Sequence, residues 1–221
     1  MKKIIIFFSA LFLVNTVFGQ AFKPVKMDSL VTISLPAVHG KKDTLGQQIF
    51  SGTTDLGYMI AIREPNAKNN QPLKKEKDLN SVLKKYIQDI QSQSGGGSAQ
   101  FVRDTTVGTL KAKEFTLVMK DANGDTQYRR FLLIYTLDAT YTFEYGYPES
   151  RKELVKDEPK TFFSSIKLSP ELQRNDQYTD TRKSTSISTN LIIAIAGGIV
   201  LILGIIWLIF RKKKNSSEFA S

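Results

Sequence analysis

The chain has 221 residues, 41% of them hydrophobic and 24% charged, with one histidine and no cysteine. That length suits one ordinary domain, and the missing cysteines exclude a disulfide framework, a thiol nucleophile, cysteine-ligated zinc and lipid attachment through a signal-sequence cysteine. Of the formal +10 charge, Lys2 and Lys3 hold +2, and Arg211, Lys212, Lys213 and Lys214 less Glu218 hold +3. The remaining +5 is too mild for a nucleic-acid footprint.

Residues 1–19 combine a basic start, the apolar run Ile4–Val14 and a polar stretch ending in Val17-Phe18-Gly19. This is the pattern of a secretory signal peptide cut between Gly19 and Gln20, with an uncleaved anchor as the alternative. Residues 20–168 then read as an extracytoplasmic globular domain. Val31, Ile33 and Leu35 alternate with Thr32 and Ser34 before Pro36 ends the run, as in a half-buried strand. Gln47–Ser51 and Tyr58–Arg63 are shorter strands around the turn-forming segment Gly52–Gly57. Leu79, Val82, Leu83, Tyr86, Ile87 and Ile90 recur at helical spacing, which predicts an amphipathic helix with Asp78 as N-cap and Ser94-Gly95-Gly96-Gly97-Ser98 as its end. Four strand-like segments follow, Phe101–Val107, Leu110–Lys120, Thr126–Leu137 and Thr140–Tyr147, with an Asn-Gly hairpin signal at Asn123-Gly124. Pro159 with Phe162, Phe163 and Ile166 predicts a short closing helix packed on the sheet.

From 169 to 190 the composition turns to Ser, Thr, Asp, Arg, Gln and Asn, which reads as a flexible stalk. Leu191–Phe210 is free of charge, and at about 1.5 Å rise per residue it covers a hydrocarbon layer of about 30 Å. A single transmembrane helix is expected there, with Arg211, Lys212, Lys213 and Lys214 as its cytoplasmic flank and residues 211–221 as a basic tail. Ala194 and Gly198 make a weak small-xxx-small signal for helix association. Removal of the helix and tail as a sorting signal after export is the alternative. The expected location is therefore the plasma membrane, with the globular domain outside the cytoplasm.

Asp121, Asn123 and Asp125 imitate the opening of a calcium loop, but Thr126 and Leu132 stand where glycine and the bidentate glutamate belong, so a hairpin turn is the reading. His39, in Ala37-Val38-His39-Gly40, has no second ligand near it in sequence and reads as an exposed loop residue. No nucleophile elbow, phosphate loop or zinc-protease helix occurs, and no catalytic residue, cofactor or metal site is assigned. Lys74, Lys75, Lys77, Lys84 and Lys85 form a candidate patch for an anionic partner, although solvated lysines are the ordinary furniture of a helix face. Tyr141, Phe143, Tyr145 and Tyr147 share one strand face, either as the lining of a ligand groove or, by preference, as core beneath the helices.

The opening strand Leu30–Pro36, the helix Leu79–Ile90 after a strand pair, the strands Leu110–Tyr147 and the ending Phe162-Phe163-Ser164-Ser165-Ile166-Lys167-Leu168 together resemble the PsbP-like fold. That fold is shared by the photosystem II oxygen-evolving-complex protein, a Ran-binding import factor and envelope proteins of the DcrB type. The resemblance covers roughly Met27–Leu168 and implies an α+β domain, an antiparallel sheet flanked by helices in an α/β/α sandwich, that binds or assists other proteins without catalysis. The expected function is a membrane-anchored extracytoplasmic module that docks a protein or envelope component. A cell-envelope hydrolase, or a glycan-binding domain using the aromatic sheet face, is the alternative.

Overall fold

The computed structural model describes residues 22–67 and 72–179. The expected signal sequence of residues 1–19, residues 180–190, the expected membrane segment Leu191–Phe210 and its basic flank lie outside them. Among the described residues no helix is long and apolar enough to cross a membrane.

The elements run β1 (Phe22–Lys26), β2 (Val31–Pro36), β3 (His39–Thr44), β4 (Gln47–Thr53), β5 (Tyr58–Pro65), α1 (Glu76–Gln93), β6 (Ser98–Val107), β7 (Leu110–Lys120), β8 (Thr126–Tyr135), β9 (Ala139–Pro148), α2 (Glu158–Ser164) and β10 (Lys167–Leu168). β3 to β9 form a seven-stranded antiparallel sheet in the order β3-β4-β5-β9-β8-β7-β6, while β2 lies between β1 and β10 in a separate three-stranded sheet. The opening strand thus belongs to a small covering sheet and not to the main one. Its inner residues Val31, Ile33 and Leu35 are all at most 1% exposed, because they face the large sheet instead of hydrogen-bonding to it.

Each face of the main sheet has its own cover. On one side Met59, Ala61, Leu132, Ile134 and Phe143 pack with β2 and with Phe162 of α2. On the other, Phe115, Leu117, Phe131 and Leu133 pack with Leu79, Leu83 and Ile87 of α1. Residues Phe131–Tyr135 are therefore buried without a break, which explains an apolar run where a half-covered strand would alternate. Phe115 and Phe131, directly opposite in register, stack with centroids 4.7 Å apart.

α1 packs against β6, β7 and β8. It leaves Ile49, Ile60 and Ile62 of β4 and β5 only half-buried on the same face. The sandwich is thus fully covered on one face and partly covered on the other.

Several expectations need correction. Asp78 is the third residue of α1, not its N-cap, and its Oδ2 accepts the Lys75 backbone N–H at 3.0 Å. Of the closing phenylalanines, Phe162 is fully buried and Phe163 only partly. Helical rotation turns the second ring to the rim. Residues 169–179, expected as the start of a stalk, belong to the folded domain, since Leu172, Gln177 and Tyr178 are buried. Gln177 explains this: its side chain accepts from the Lys111 N–H at 2.7 Å and donates to the Lys111 and Tyr135 carbonyls at 2.7 and 2.9 Å. It bridges β7 and β8 as an added strand would. The Asn-Gly hairpin is present, with Gly124 at φ +85° and the Asp121 carboxylate accepting the Asn123 and Asp125 N–H groups at 2.9 and 3.0 Å.

Replacing Leu83 or Phe143 with alanine should cost about 2–5 kcal/mol in urea unfolding, since each leaves a void in one of the two packed layers. Near-neutral values at both positions would contradict this division of the core.

Candidate functional site

The aromatic face of β9 does not line a groove among the described residues. Tyr141, Phe143 and Tyr145 are each at most 1% exposed, and Tyr147 is half-buried with its ring 5.5 Å from that of Tyr128. A buried phenol needs a hydrogen-bond acceptor, and the covering layer supplies one for each tyrosine. The Tyr141 hydroxyl donates to Asp28 Oδ2 at 2.7 Å, and the Tyr145 hydroxyl to Glu158 Oε2 at 2.6 Å. Burial, and then these carboxylates, push both phenols well above the ordinary tyrosine range. Asp28 also accepts Arg63 Nε at 2.7 Å and the Leu30 and Val31 N–H groups at 2.8 Å. Burial opposes its ionisation, but these bonds outweigh that cost and hold its carboxyl below the usual carboxylate range.

The opposite face of β9 carries a second polar cluster. Tyr58 of β5, Gly146 of β9 and Arg129 of β8 stand in one cross-strand row. Because Gly146 has no side chain, the Tyr58 ring lies across it, in the space a Cβ would occupy. The Tyr58 hydroxyl thereby reaches Glu144 Oε1 at 2.8 Å. Arg129 grips the same carboxylate through Nε at 2.5 Å and Nη2 at 2.7 Å. The Glu144 side chain is only 4% exposed, so this bidentate pair is what allows a charge there. Burial and the Glu144 carboxylate push the Tyr58 phenol upward against the opposing Arg129 charge.

Arg129 and Glu144 of this cluster lie in the floor of a cleft of about 660 Å³ between α1 and the open half of the sheet. Ile62, Val82 and Ile90 give its apolar walls, and Glu64, Lys85 and Asp89 lie at its polar rim. The deepest carboxylate is engaged on both oxygens, so the cleft offers a shaped, mixed surface, while its most buried acid acts as a hydrogen-bond acceptor for its neighbours.

The lysines divide by environment. Lys84 and Lys85 are exposed on α1, and Lys85 pairs with Asp89 at 2.7 Å. Lys74, Lys75 and Lys77 are exposed at the start of α1 and have no carboxylate partner among the described residues. His39 is the exposed first residue of β3, with Nδ1 3.0 Å from the Pro36 carbonyl. Among the described residues no group of three or more His, Cys, Asp or Glu side chains could hold a metal ion.

Neither the Glu144–Arg129–Tyr58 cluster nor the cleft was found by sequence reasoning, because register alone brings these three strands into line. One signal was available. Glu144 is a lone carboxylate inside the otherwise aromatic and small-residue run Tyr141–Tyr147, and a central strand carries such a charge only with a partner.

No family model and no curated protein sequence matches the chain. Among solved structures, the solution structure of cyanobacterial PsbP (CyanoP) from Synechocystis sp. PCC 6803 is similar over 70% of this chain and 96% of that one. Its TM-score is 0.50 at 12% identity. The fold of the described domain is therefore PsbP-like. A crystal structure from Bacteroides thetaiotaomicron is similar over 64% of this chain and 46% of that one, at 11% identity and a TM-score of 0.37, too low to bear on the fold.

Replacing Arg129 with methionine should destabilise the domain by about 3–5 kcal/mol, because Glu144 is left as a buried, uncompensated charge. Adding Glu144→Leu should restore most of that loss in thermal or urea unfolding. If the single variant is near-neutral, the pair does not have the buried character described.

Proposed function

We propose that the chain is a membrane-tethered extracytoplasmic binding or assembly module, which docks a protein or envelope component and catalyses no reaction. The observation that carries this reading is the incompletely covered sheet face beside α1. Ile49, Ile60 and Ile62 stand half-exposed next to the cleft, and a partner laid there would complete a layer that the chain itself supplies only over β6, β7 and β8. The engagement of Glu144, Glu158 and Asp28 in hydrogen bonds to tyrosines favours binding over acid–base work. The aromatic strand serves as core in this reading, and the glycan-binding alternative loses its surface.

The tether follows from the sequence: the signal peptide of residues 1–19 exports the domain, and the Leu191–Phe210 helix holds it with Arg211–Lys214 in the cytoplasm. Confinement at the membrane raises the effective concentration of the domain for membrane-bound partners, so a modest interface suffices.

The test is site-specific photocrosslinking in intact cells. A crosslinker at Ile62 or Gln93, beside the cleft, should give a discrete adduct. One at Lys23 of β1 or Ser29 of the β1–β2 connection should not. Equal labelling from both faces, or turnover of an envelope substrate by the purified chain, would overturn the reading.

A further inference from the structure

The described chain ends at one pole of the domain, and the charges of that pole are unevenly used. Thr179 donates its N–H to the Leu73 carbonyl at 2.8 Å, so the last described residue lies beside the start of α1. The β8–β9 turn is at the same pole, since the Leu137 N–H donates to the Asp176 carbonyl at 2.6 Å. Most acids there are occupied within the domain: Asp78 caps the Lys75 N–H, Asp176 accepts the Gln173 N–H at 2.7 Å, and Glu76 pairs with Lys111 at 3.2 Å, while Asp138 of the β8–β9 turn is exposed. Lys74, Lys75, Lys77 and Arg174 are exposed and have no carboxylate partner among the described residues. Leu137, 37% exposed, adds an apolar side chain beside them.

Only residues 180–190 separate this pole from Leu191, where the proposed anchor enters the bilayer. At 3.3–3.6 Å per residue such a segment reaches at most about 40 Å. The pole that carries the free cations is thus the one the tether keeps near the headgroups.

We propose that this pole, with Lys74, Lys75, Lys77 and Arg174, is a membrane-facing surface that docks on anionic lipid headgroups. The inference rests on the membrane-anchored reading above. Docking orients the domain, holding the start of α1 down and directing the far end of that helix, with Gln93 and Ser94 of the cleft rim, away from the bilayer. Lysines near an anionic surface are drawn to it, an attraction that salt screens.

The experiment uses the full chain in vesicles of phosphatidylcholine, alone or mixed with phosphatidylglycerol. The absence of cysteine permits single labels at Ser81→Cys, near the pole, and Ser92→Cys, roughly 16 Å further along α1 at the helical rise. Energy transfer to a headgroup-labelled lipid should rise on adding phosphatidylglycerol, more at position 81 than at 92, and should fall again in high salt. The triple variant K74E/K75E/K77E should reduce the docked-to-undocked ratio by at least tenfold, as expected for about three lost contacts and added repulsion. Reversal of Arg151 and Lys156 should leave it unchanged. Equal transfer in both lipids, or equal loss on reversing Arg151 and Lys156, would overturn the proposal while the anchor stands. Extraction of the wild-type chain from the vesicles by alkaline wash would overturn the anchored reading itself, and this inference with it.

Discussion

The constraint on which the rest of the structure depends is the burial of tyrosine hydroxyls in the central strand. β9 is fully covered on the face beneath the small sheet, yet there it carries phenols whose oxygens, left unpaired, would each cost on the order of 1–3 kcal/mol. Tyr141 and Tyr145 therefore require Asp28 and Glu158 at fixed positions, and those two residues come from the β1–β2 connection and the first turn of α2. Satisfying the phenols places the small sheet and α2 over the same face. Thr54 joins the second of these clamps by donating to Glu158 Oε2 at 2.6 Å. The hydrophobic effect supplies most of the stability, but these bonds decide which surface covers which.

The same requirement treats the two faces differently. Beneath the small sheet, acids from the cover reach inward to the tyrosines. Beneath α1 the acid comes from the sheet, as Glu144, and its partners Arg129 and Tyr58 are sheet residues too. The Glu144 cluster needs nothing from a covering element to be satisfied, and α1, which reaches β9 through Tyr86 and Thr140 at 3.1 Å, covers only part of that side. The cleft and the half-exposed isoleucines result, and they are why the binding surface is sought there and not on the aromatic strand.

What the sequence disclosed follows from the same physics. The bounds of β7 match Leu110–Lys120 because turn residues flank both ends, and the 3.6-residue period located the buried face of α1 at Leu79, Leu83 and Ile87. β3 was not legible, since every residue from His39 to Asp43 is exposed and no apolar alternation marks the strand. β1 includes Pro24 and buries little, so it reads as an irregular lead-in. Leu172 and Tyr178 were assigned to a stalk because two isolated apolar residues carry no period, and their burial depends on Gln177 docking onto strands far away in sequence. The cleft was invisible for a similar reason, as its charges meet only across the register of β5, β9 and β8.

Alkaline titration tests this account most directly. A group whose pKa is higher in the folded than in the unfolded chain contributes stability that is intact below the unfolded value and is lost as pH rises through the folded one. Tyr58, Tyr141 and Tyr145 are all raised, so folding stability should decline only above about pH 10, the unfolded tyrosine value. Ultraviolet absorbance and circular dichroism would be followed together on the full chain. The account predicts that at least Tyr58, Tyr141 and Tyr145 of the eight tyrosines stay protonated until the secondary structure is lost and then ionise in the same step. Ionisation of all eight at ordinary values, with the circular dichroism of the fold intact, would contradict it.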